Sequence, residues 1–163
     1  MIIRRLALVL ALAAFAVSPA WAQSEHITGP QKPLQTQPLV IVNHGGKHLT
    51  FHVELAKTLQ EQTVGLMFRK QVPADGGMLF VWGAPKESQM WMKNTLVPLD
   101  MVFINADGTI HSIIENTVPQ SLRILDSRGP VMATLELRGG ITAKDDIVVG
   151  DKVLSPLFHD MPK

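Results

Sequence analysis

The feature that most restricts the fold of this chain is a series of short β-rich runs separated by turn residues. The run "KHLTFHVELA" (47–56) alternates polar and apolar side chains without a break, as a strand with one buried face does. An Asp-Gly pair in "ADG" (106–108) lies between two further runs and predicts a hairpin. The other runs are LVIVN (39–43), GMLFVW (77–82), QMWMKN (89–94), DMVFIN (100–105), TIHSIIENTV (109–118) and VMATLEL (131–137). We therefore predict a mainly β, single-domain fold, either barrel-like or a sandwich.

One α-helix is predicted to pack on these strands. Thr58 stands three residues before Glu61, which is the capping-box pattern of a helix N-terminus. Apolar residues then follow at roughly helical spacing as far as Phe68. The sequence therefore predicts a helix over about residues 59–68.

The first 38 residues read as an export signal and a tether. Residues 1–22 combine Arg4 and Arg5 with an apolar run and the small-residue motif "AWA", the pattern of a secretory signal peptide. Residues 23–38 contain three prolines and little apolar periodicity, which predicts a flexible linker. We expect export to a bacterial periplasm, followed by one folded domain over residues 39–163.

The net charge of the exported chain limits the classes of partner that it is expected to bind. Removing Arg4 and Arg5 from the 15 basic residues leaves 13 against 14 acidic residues, a formal charge of −1. This balance argues against nucleic acid and against an anionic membrane surface as partners. The apolar run of the signal is also too short to span a bilayer, so we expect no membrane insertion after cleavage. The chain has no cysteine, so its core must stabilise it without disulfides.

The Met-Trp-Met triplet (90–92) has two interpretations. On a strand, Met90 and Met92 point the same way about 6 to 7 Å apart, close enough for two thioethers to bind Cu(I). Met78, Met101 or His111 is a possible third ligand. Methionine is also a common gap-filler in cores. Copper is therefore an alternative reading, and otherwise no cofactor is predicted.

The residues after this triplet suggest a ligand pocket. Lys93, Asn94 and Thr95 lead through Pro98 to Asp100, which offers an ammonium, an amide, a hydroxyl and a carboxylate within one loop. This set suits a small polar or anionic ligand. A polar network that pins the loop to its own backbone is the competing interpretation.

No arrangement for nucleophilic catalysis stands out. The chain has no cysteine, no G-x-S-x-G elbow and no H-E-x-x-H motif. A pair of carboxylates that catalyses glycoside hydrolysis is still an alternative, because residues far apart in sequence can meet in space. The candidates are Glu54, Asp75, Asp100, Glu115 and Glu136. We assign no catalytic residue and favour a non-catalytic binding or accessory module, with copper handling and a carbohydrate-active hydrolase as alternatives.

Several motifs, in order, resemble a known family. The segments "VELAKTLQEQTVGLMFRK", "GGMLFVW", "MWMKNTLVPLDMVFINADGTI", "TLELRGGI" and "GDKV" are similar to those of domain-of-unknown-function family 192, over about residues 53–153. The family's function is not established, so the resemblance identifies matching residues but implies no activity for them. The matching positions are Glu54, Gly65, Leu66, Met67, Arg69, Gly77, Met78, Trp91, Met92, Lys93, Asn94, Thr95, Pro98, Asp100 and Glu136.

The resemblance also bears on the competing sites. Met90 departs from the family pattern, which usually has an aromatic residue there, and this weakens the copper interpretation. Arginine and lysine near a strand end favour an anionic or polyhydroxyl ligand. The predicted ligand-binding residues are Glu54, Arg69, Trp91, Lys93, Asn94, Thr95 and Asp100.

Overall fold

A computed structural model describes residues 27–158 as one seven-stranded sheet with two short helices and a 3-10 turn. The order of the strands across the sheet is β5-β4-β6-β3-β2-β1-β7. The strands are β1 (Thr36–Val42), β2 (His48–Ala56), β3 (Gly76–Met90), β4 (Leu99–Ile104), β5 (Ile110–Ile114), β6 (Leu125–Arg138) and β7 (Lys152–Leu154). The helices are α1 (Leu59–Val64) and α2 (Ile141–Lys144), and the 3-10 turn is Pro156–Phe158.

The edge strands nearly meet, which confirms the predicted mainly β, barrel-like fold. Thr109, just before β5, forms an isolated bridge with Lys152 of β7. Backbone N–H groups of Ile110 and Val153 add bonds across the same gap, to Asp151 and Gly108. Closing a sheet in this way removes most of the exposed edge that an open sheet leaves unpaired.

The local pairings follow the sequence signals. Strands β1 and β2 form the predicted antiparallel hairpin, and β4 and β5 form the hairpin around Asp107-Gly108. Strand β2 pairs in parallel with β3, so the chain must cross over between them. The segment containing α1 makes this crossover and lies against the sheet.

Helix α1 begins where the capping box predicts but ends four residues early. The Thr58 side chain accepts a hydrogen bond from the Glu61 N–H, and the Glu61 carboxylate accepts one from the Thr58 N–H. Gly65 then has a φ of 50°, and its N–H donates to the Glu61 carbonyl. A residue with positive φ ends a helix because the chain turns away from the helical path, so residues 65–68 form turns rather than a longer helix.

The segment before the sheet is more structured than a flexible linker. Strand β1 begins at Thr36, three residues inside the predicted linker. The side-chain amide of Gln31 donates to the carbonyls of Glu61 and Gly65 at the end of α1, at 3.1 and 2.9 Å. Residues 36–38 therefore belong to the sheet, which begins before the predicted start of the folded domain at Leu39. The predicted signal peptide lies outside the described residues.

The two faces of the sheet pack against different partners. One face forms the interior of the barrel, with residues such as Leu39, Phe51, Leu79 and Leu135. The opposite face around β3, β4 and β6 is covered by residues 66–72 and by the corner at residues 90–97. Neither helix within residues 27–158 has the length and apolar character needed to cross a bilayer. The candidate site lies on this outer face.

Candidate functional site

One cavity lies between α1, the corner after β3, and the outer face of the sheet. Its volume is about 320 Å³. We call it the tryptophan cavity, because Trp82 and Trp91 both form its walls. Its lining residues are Leu59, Gln62, Thr63, Val64, Gly65, Leu66, Met67, Phe80, Trp82, Lys86, Ser88, Gln89, Met90, Trp91, Thr95 and Glu136.

Glu136 is the single acidic residue of this lining, and the sheet register explains how it arrives there. Strand β6 runs between β3 and β4, so that Glu136 is opposite Met78 on one side and Met101 on the other. Its neighbours Leu135 and Leu137 face the barrel interior. Because side chains alternate along a strand, Glu136 must face the outer side, among buried methionines.

The Glu136 carboxyl group is buried without a protein partner. The residue is 4% exposed, and no side chain or backbone group among residues 27–158 hydrogen-bonds to its carboxyl oxygens. Burial disfavours the charged form and raises the pKa of Glu136 from its ordinary 4.5 to about 8. Glu136 is therefore mostly a neutral acid at neutral pH, with its hydrogen-bonding capacity available to the cavity.

One aromatic wall of the cavity already holds a cation. The rings of Phe80 and Trp82 stack with their centroids 6.0 Å apart. The ammonium of Lys86 lies over the Trp82 ring, 4.1 Å from its centroid. The indole Nε1–H of Trp82 is buried and has no hydrogen-bond partner among the described residues. This wall combines apolar surface with a face that attracts positive charge.

The predicted corner supplies the opposite wall through Trp91 and Thr95. Trp91 is 42% exposed, and the Lys93 ammonium lies 5.0 Å from the centroid of its ring. Thr95 is buried, with its N–H bonded to the Met92 carbonyl and its carbonyl bonded to the Gln120 N–H. Of the predicted site residues, Trp91 and Thr95 line the tryptophan cavity.

Asn94 shapes the corner rather than lining the cavity. Its φ is 56°, in the left-handed region that asparagine tolerates better than most residues. Its carbonyl accepts a hydrogen bond from the Phe68 N–H, and its side-chain amide lies 3.8 Å from the Met67 sulfur. Asn94 thereby joins the corner to the chain that leaves α1.

Asp100 is a structural residue in this fold. It is fully buried, and its carboxylate accepts four hydrogen bonds. The donors are the N–H groups of Asn116, Gly140 and Thr142 and the Thr142 hydroxyl, at 2.7 to 2.9 Å. These bonds fix the start of α2 and the chain after β5, so the competing interpretation of a loop-pinning network describes Asp100.

Arg69 and Glu54 lie together at a different place. The Arg69 Nη2 donates to the Glu54 carboxylate at 3.0 Å, and the same oxygen accepts from the Leu34 N–H at 2.7 Å. Both residues line a separate cavity of about 140 Å³. The seven predicted binding residues are therefore divided: two line the tryptophan cavity, two line this smaller cavity, Asn94 and Asp100 hold the backbone, and Lys93 lies over the Trp91 ring.

Four of the proposed copper ligands belong to the outer-face core, in which Met78, Met92 and Met101 are buried and against which Met90 packs. Met90 ends β3 and lines the tryptophan cavity, whereas Met92 is fully buried and its sulfur accepts a hydrogen bond from the Thr117 hydroxyl at 3.2 Å. The strand on which both were expected to point the same way ends at Met90. His111 lies on β5, against the backbone of Gly129. Within residues 27–158, no three His, Asp or Glu side chains are placed to hold a metal ion.

The carboxylates considered for glycoside hydrolysis do not pair in the tryptophan cavity. Glu136 lines this cavity, and Glu54 lines the smaller one. Asp100 is held by its four donors, and Glu115 accepts from the Thr142 hydroxyl. No second carboxylate therefore faces Glu136 across the described cavity.

Comparison with known proteins places the chain in a family. The model of DUF192, a family described as Uncharacterized ACR, matches residues 40–155. The chain belongs to DUF192. A candidate transcription regulator from Sinorhizobium meliloti has a similar crystal structure, with 39% identity, a TM-score of 0.76, and coverage of 78% of this chain and 98% of that one. A protein of unknown function from Novosphingobium aromaticivorans is similar too, with 36% identity, a TM-score of 0.72 and coverage of 88% and 94%. No curated protein matches the chain.

The DUF192 pattern positions acquire distinct roles in this geometry. Asp100 and Asn94 fix the backbone, and Gly77 lets β3 approach β6, since a Cβ there would lie 2.3 Å from the Glu136 carbonyl oxygen. A second group of these positions lines the tryptophan cavity. These are Gly65, Leu66, Met67, Trp91, Thr95 and Glu136.

Sequence reasoning missed the polar centre of the site. Glu136 was named as a family pattern position and as an unplaced carboxylate but not as a ligand-binding residue, and Trp82 and Lys86 were not predicted as site residues. One signal was present, because Glu136 is the lone charged residue in the run "VMATLEL". A charged side chain within such a strand indicates either an exposed face or a functional burial, and the sheet order decides between them.

Proposed function

We propose that this DUF192 protein is an exported, non-catalytic module that binds a small organic ligand in the tryptophan cavity. The observation that carries the proposal is the buried Glu136 carboxyl group, which meets no protein partner and opens onto a cavity with aromatic and thioether walls. The signal-like pattern of residues 1–22 supports export, and this cavity supports ligand binding.

The hydrogen-bonding capacity of the Glu136 carboxyl group supports ligand binding in the cavity. Burying a polar group without a hydrogen bond costs about 1 to 3 kcal/mol in proteins, and most buried polar groups therefore have partners. The Glu136 carboxyl group opens onto the cavity, and no hydrogen bond to it is formed by residues 27–158. A ligand that hydrogen-bonds to Glu136 would gain its binding energy mainly at this one point of the cavity.

The size and lining of the cavity fit a compact molecule. Ligand sites commonly range from about 300 to 1,000 Å³ and combine apolar walls with few polar groups. At about 320 Å³ the tryptophan cavity lies at the small end of this range. Eight of the sixteen lining residues have apolar side chains, and the hydroxyl of Ser88 is already bonded to Thr134. The proposed site is therefore a cavity of mixed lining with one acid, in place of the strongly polar pocket predicted at the corner.

The same geometry supports binding over catalysis. Acid-base catalysis needs a second group that moves a proton or attacks, within reach of the first. Among the residues lining the cavity, Lys86 is the other titratable group, and its ammonium lies on the Trp82 ring. Transcription regulation, the role named in the description of the Sinorhizobium protein, has no support from this cavity.

Tryptophan fluorescence tests the proposal directly. Trp21 belongs to the predicted signal peptide, so Trp82 and Trp91 are the tryptophans of the predicted mature chain, and both line the cavity. Compounds from a library of small amphipathic molecules are titrated into residues 23–163 while emission and melting temperature are followed. Saturation at a hundredfold the Kd adds about 2.7 kcal/mol of stability.

A matched pair of variants separates the cavity from the remaining surface. Met90 and Met132 are both half-buried methionines, but only Met90 lines the cavity. Met90→Ala is expected to change the affinity of any compound that binds, whereas Met132→Ala leaves it unchanged. If no compound changes the emission, or if both variants change affinity equally, the binding proposal is wrong.

Copper handling remains a second candidate because of one observation. Met67 and Met90 both line the tryptophan cavity beside tryptophan, and thioethers are soft ligands suited to Cu(I). This pair replaces the predicted Met90 and Met92 pair. Titration with Cu(I) under reducing conditions tests it: quenched emission with one retained ion after dialysis supports the site, and unchanged emission with no retained metal rejects it.

A further inference from the structure

We infer that the ligand of the tryptophan cavity is a small organic cation, an ammonium group on an apolar skeleton, whose nitrogen lies against Glu136 between the aromatic walls. The inference rests on the proposed function and names its ligand class. It is carried by three features of the cavity: its acid, its aromatic faces, and the lysine ammonium that already occupies one of those faces.

The acid favours a donor that carries positive charge. Glu136 is the only acidic residue lining the cavity, and none of the described residues donates to its carboxyl group. A primary ammonium supplies up to three N–H donors and the opposite charge. Hydrogen bonds between an ammonium and a carboxylate are about twice as strong as neutral ones. An anionic ligand would be repelled by the ionised carboxylate and could accept a hydrogen bond only from the protonated form.

The aromatic walls favour the same class. A cation within about 6 Å of a tryptophan centroid is attracted by the negative face of the ring. Lys86 and Lys93 each place an ammonium within that distance, at 4.1 Å from Trp82 and 5.0 Å from Trp91. The Lys86 side chain lines the cavity, so its ammonium shows that an aromatic face of this cavity accepts a cation.

Ionisation of the acid then controls affinity. Lys86 is the other charged residue of the lining, and it comes from β3. Helix α1 contributes Gln62 and Thr63, and the corner contributes Trp91 and Thr95, none of which is charged. Glu136 binds a cation best as a carboxylate, and its pKa is raised to about 8 by burial. An alkylammonium keeps its proton throughout this range, since its pKa is about 10.4.

Three six-carbon probes that differ in charge test the inference. Hexylammonium, hexanol and hexanoate have the same chain length, and each is titrated into the mature chain at pH 6 and pH 8 by tryptophan fluorescence. Hexylammonium is expected to bind more tightly than hexanol at pH 8, with hexanoate weakest. Because the ionised fraction of Glu136 rises from about 1% to about 50% over this interval, hexylammonium affinity is expected to rise roughly fiftyfold.

Other binding results would overturn either the cation inference or the proposed function. Equal binding of hexylammonium and hexanol at both pH values overturns the cation inference and leaves the binding module intact. Preference for hexanoate overturns it in favour of an anion held by Lys86. Failure of all three probes, together with failure of the wider library, overturns the proposed function itself.

Variants identify the groups responsible. Glu136→Gln keeps the shape of the side chain but cannot ionise, so the pH dependence of hexylammonium binding should vanish. Lys86→Met removes the other cation of the lining and should raise hexylammonium affinity about two- to fivefold, the range expected for one exposed cation–π contact. Lys70→Met removes an exposed lysine outside the cavity and should change neither the affinity for hexylammonium nor its pH dependence. A pH dependence that survives in Glu136→Gln overturns the inference.

Discussion

Replacing Glu136 by glutamine should stabilise the protein, and the gain should grow with pH. The glutamine side chain has nearly the same shape, and it carries no charge at any pH. In the wild type, the folded-state pKa of Glu136 is raised above that of the unfolded chain, because the folded protein surrounds the group with Met78, Met101 and the cavity walls. The folded state therefore holds the proton more tightly than the unfolded state does.

The raised pKa fixes both the sign and the size of the effect. Stability from the bound proton is fully present below pH 4.5 and is lost as the pH rises through about 8. Each pH unit within this window costs the wild type about 1.4 kcal/mol. The advantage of Glu136→Gln is then roughly 1 kcal/mol at pH 5, about 3 at pH 7, and about 5 at pH 9.

Urea unfolding at pH 5, 7 and 9, followed by tryptophan emission, measures this difference. Comparing variant with wild type at each pH cancels the titration of all other groups. Asp75→Asn makes the same chemical change at an exposed position and serves as the control, with an expected difference below about 0.5 kcal/mol at each pH. If the curves of Glu136→Gln and wild type run parallel from pH 5 to 9, the carboxyl group is not buried in a neutral form, and the account of the site is wrong.

Three further substitutions test the supporting structure. Asp100→Ala removes the acceptor of three backbone N–H groups and should cost about 3 kcal/mol or more in urea unfolding while leaving probe affinity unchanged; a loss under 1 kcal/mol would contradict its structural role. Thr58→Ala breaks the capping box and should cost about 1 kcal/mol, and an unchanged stability would show that α1 does not depend on its cap. Gln31→Ala removes two bonds to the end of α1 and should increase hydrogen exchange in residues 27–35; unchanged exchange would mean that other contacts hold this segment.

The parts of the fold that depend on local patterns were predictable from the sequence. Alternation over residues 47–56 gave β2, the Asp107-Gly108 pair gave the β4–β5 hairpin, and Thr58 with Glu61 gave the start of α1. The end of α1 was missed, because helical spacing continues past Gly65 while the backbone turns there. The spacing of apolar residues does not reveal that one residue, Gly65, has a positive φ.

The site was predicted less well, because it is assembled across the sheet. Lys93, Asn94 and Thr95 are adjacent in sequence, but a turn sends their side chains to different partners. Glu136 reaches the cavity because β6 lies between β3 and β4, and strand order is a long-range property that no local pattern carries. The sequence prediction therefore placed Lys93, Asn94 and Thr95 in one site because they are adjacent in the chain. It did not place Glu136 there, because Glu136 reaches the cavity only through the order of the strands.

The most direct test of a ligand-accessible acid at Glu136 is the titration of its carboxyl carbon by NMR, in protein labelled with ¹³C-glutamate, with and without saturating hexylammonium. Glu136→Gln identifies the resonance. The account predicts a midpoint near pH 8 for the free protein and a lower midpoint when the cation is bound. A midpoint that stays in place while hexylammonium is shown to bind would contradict it.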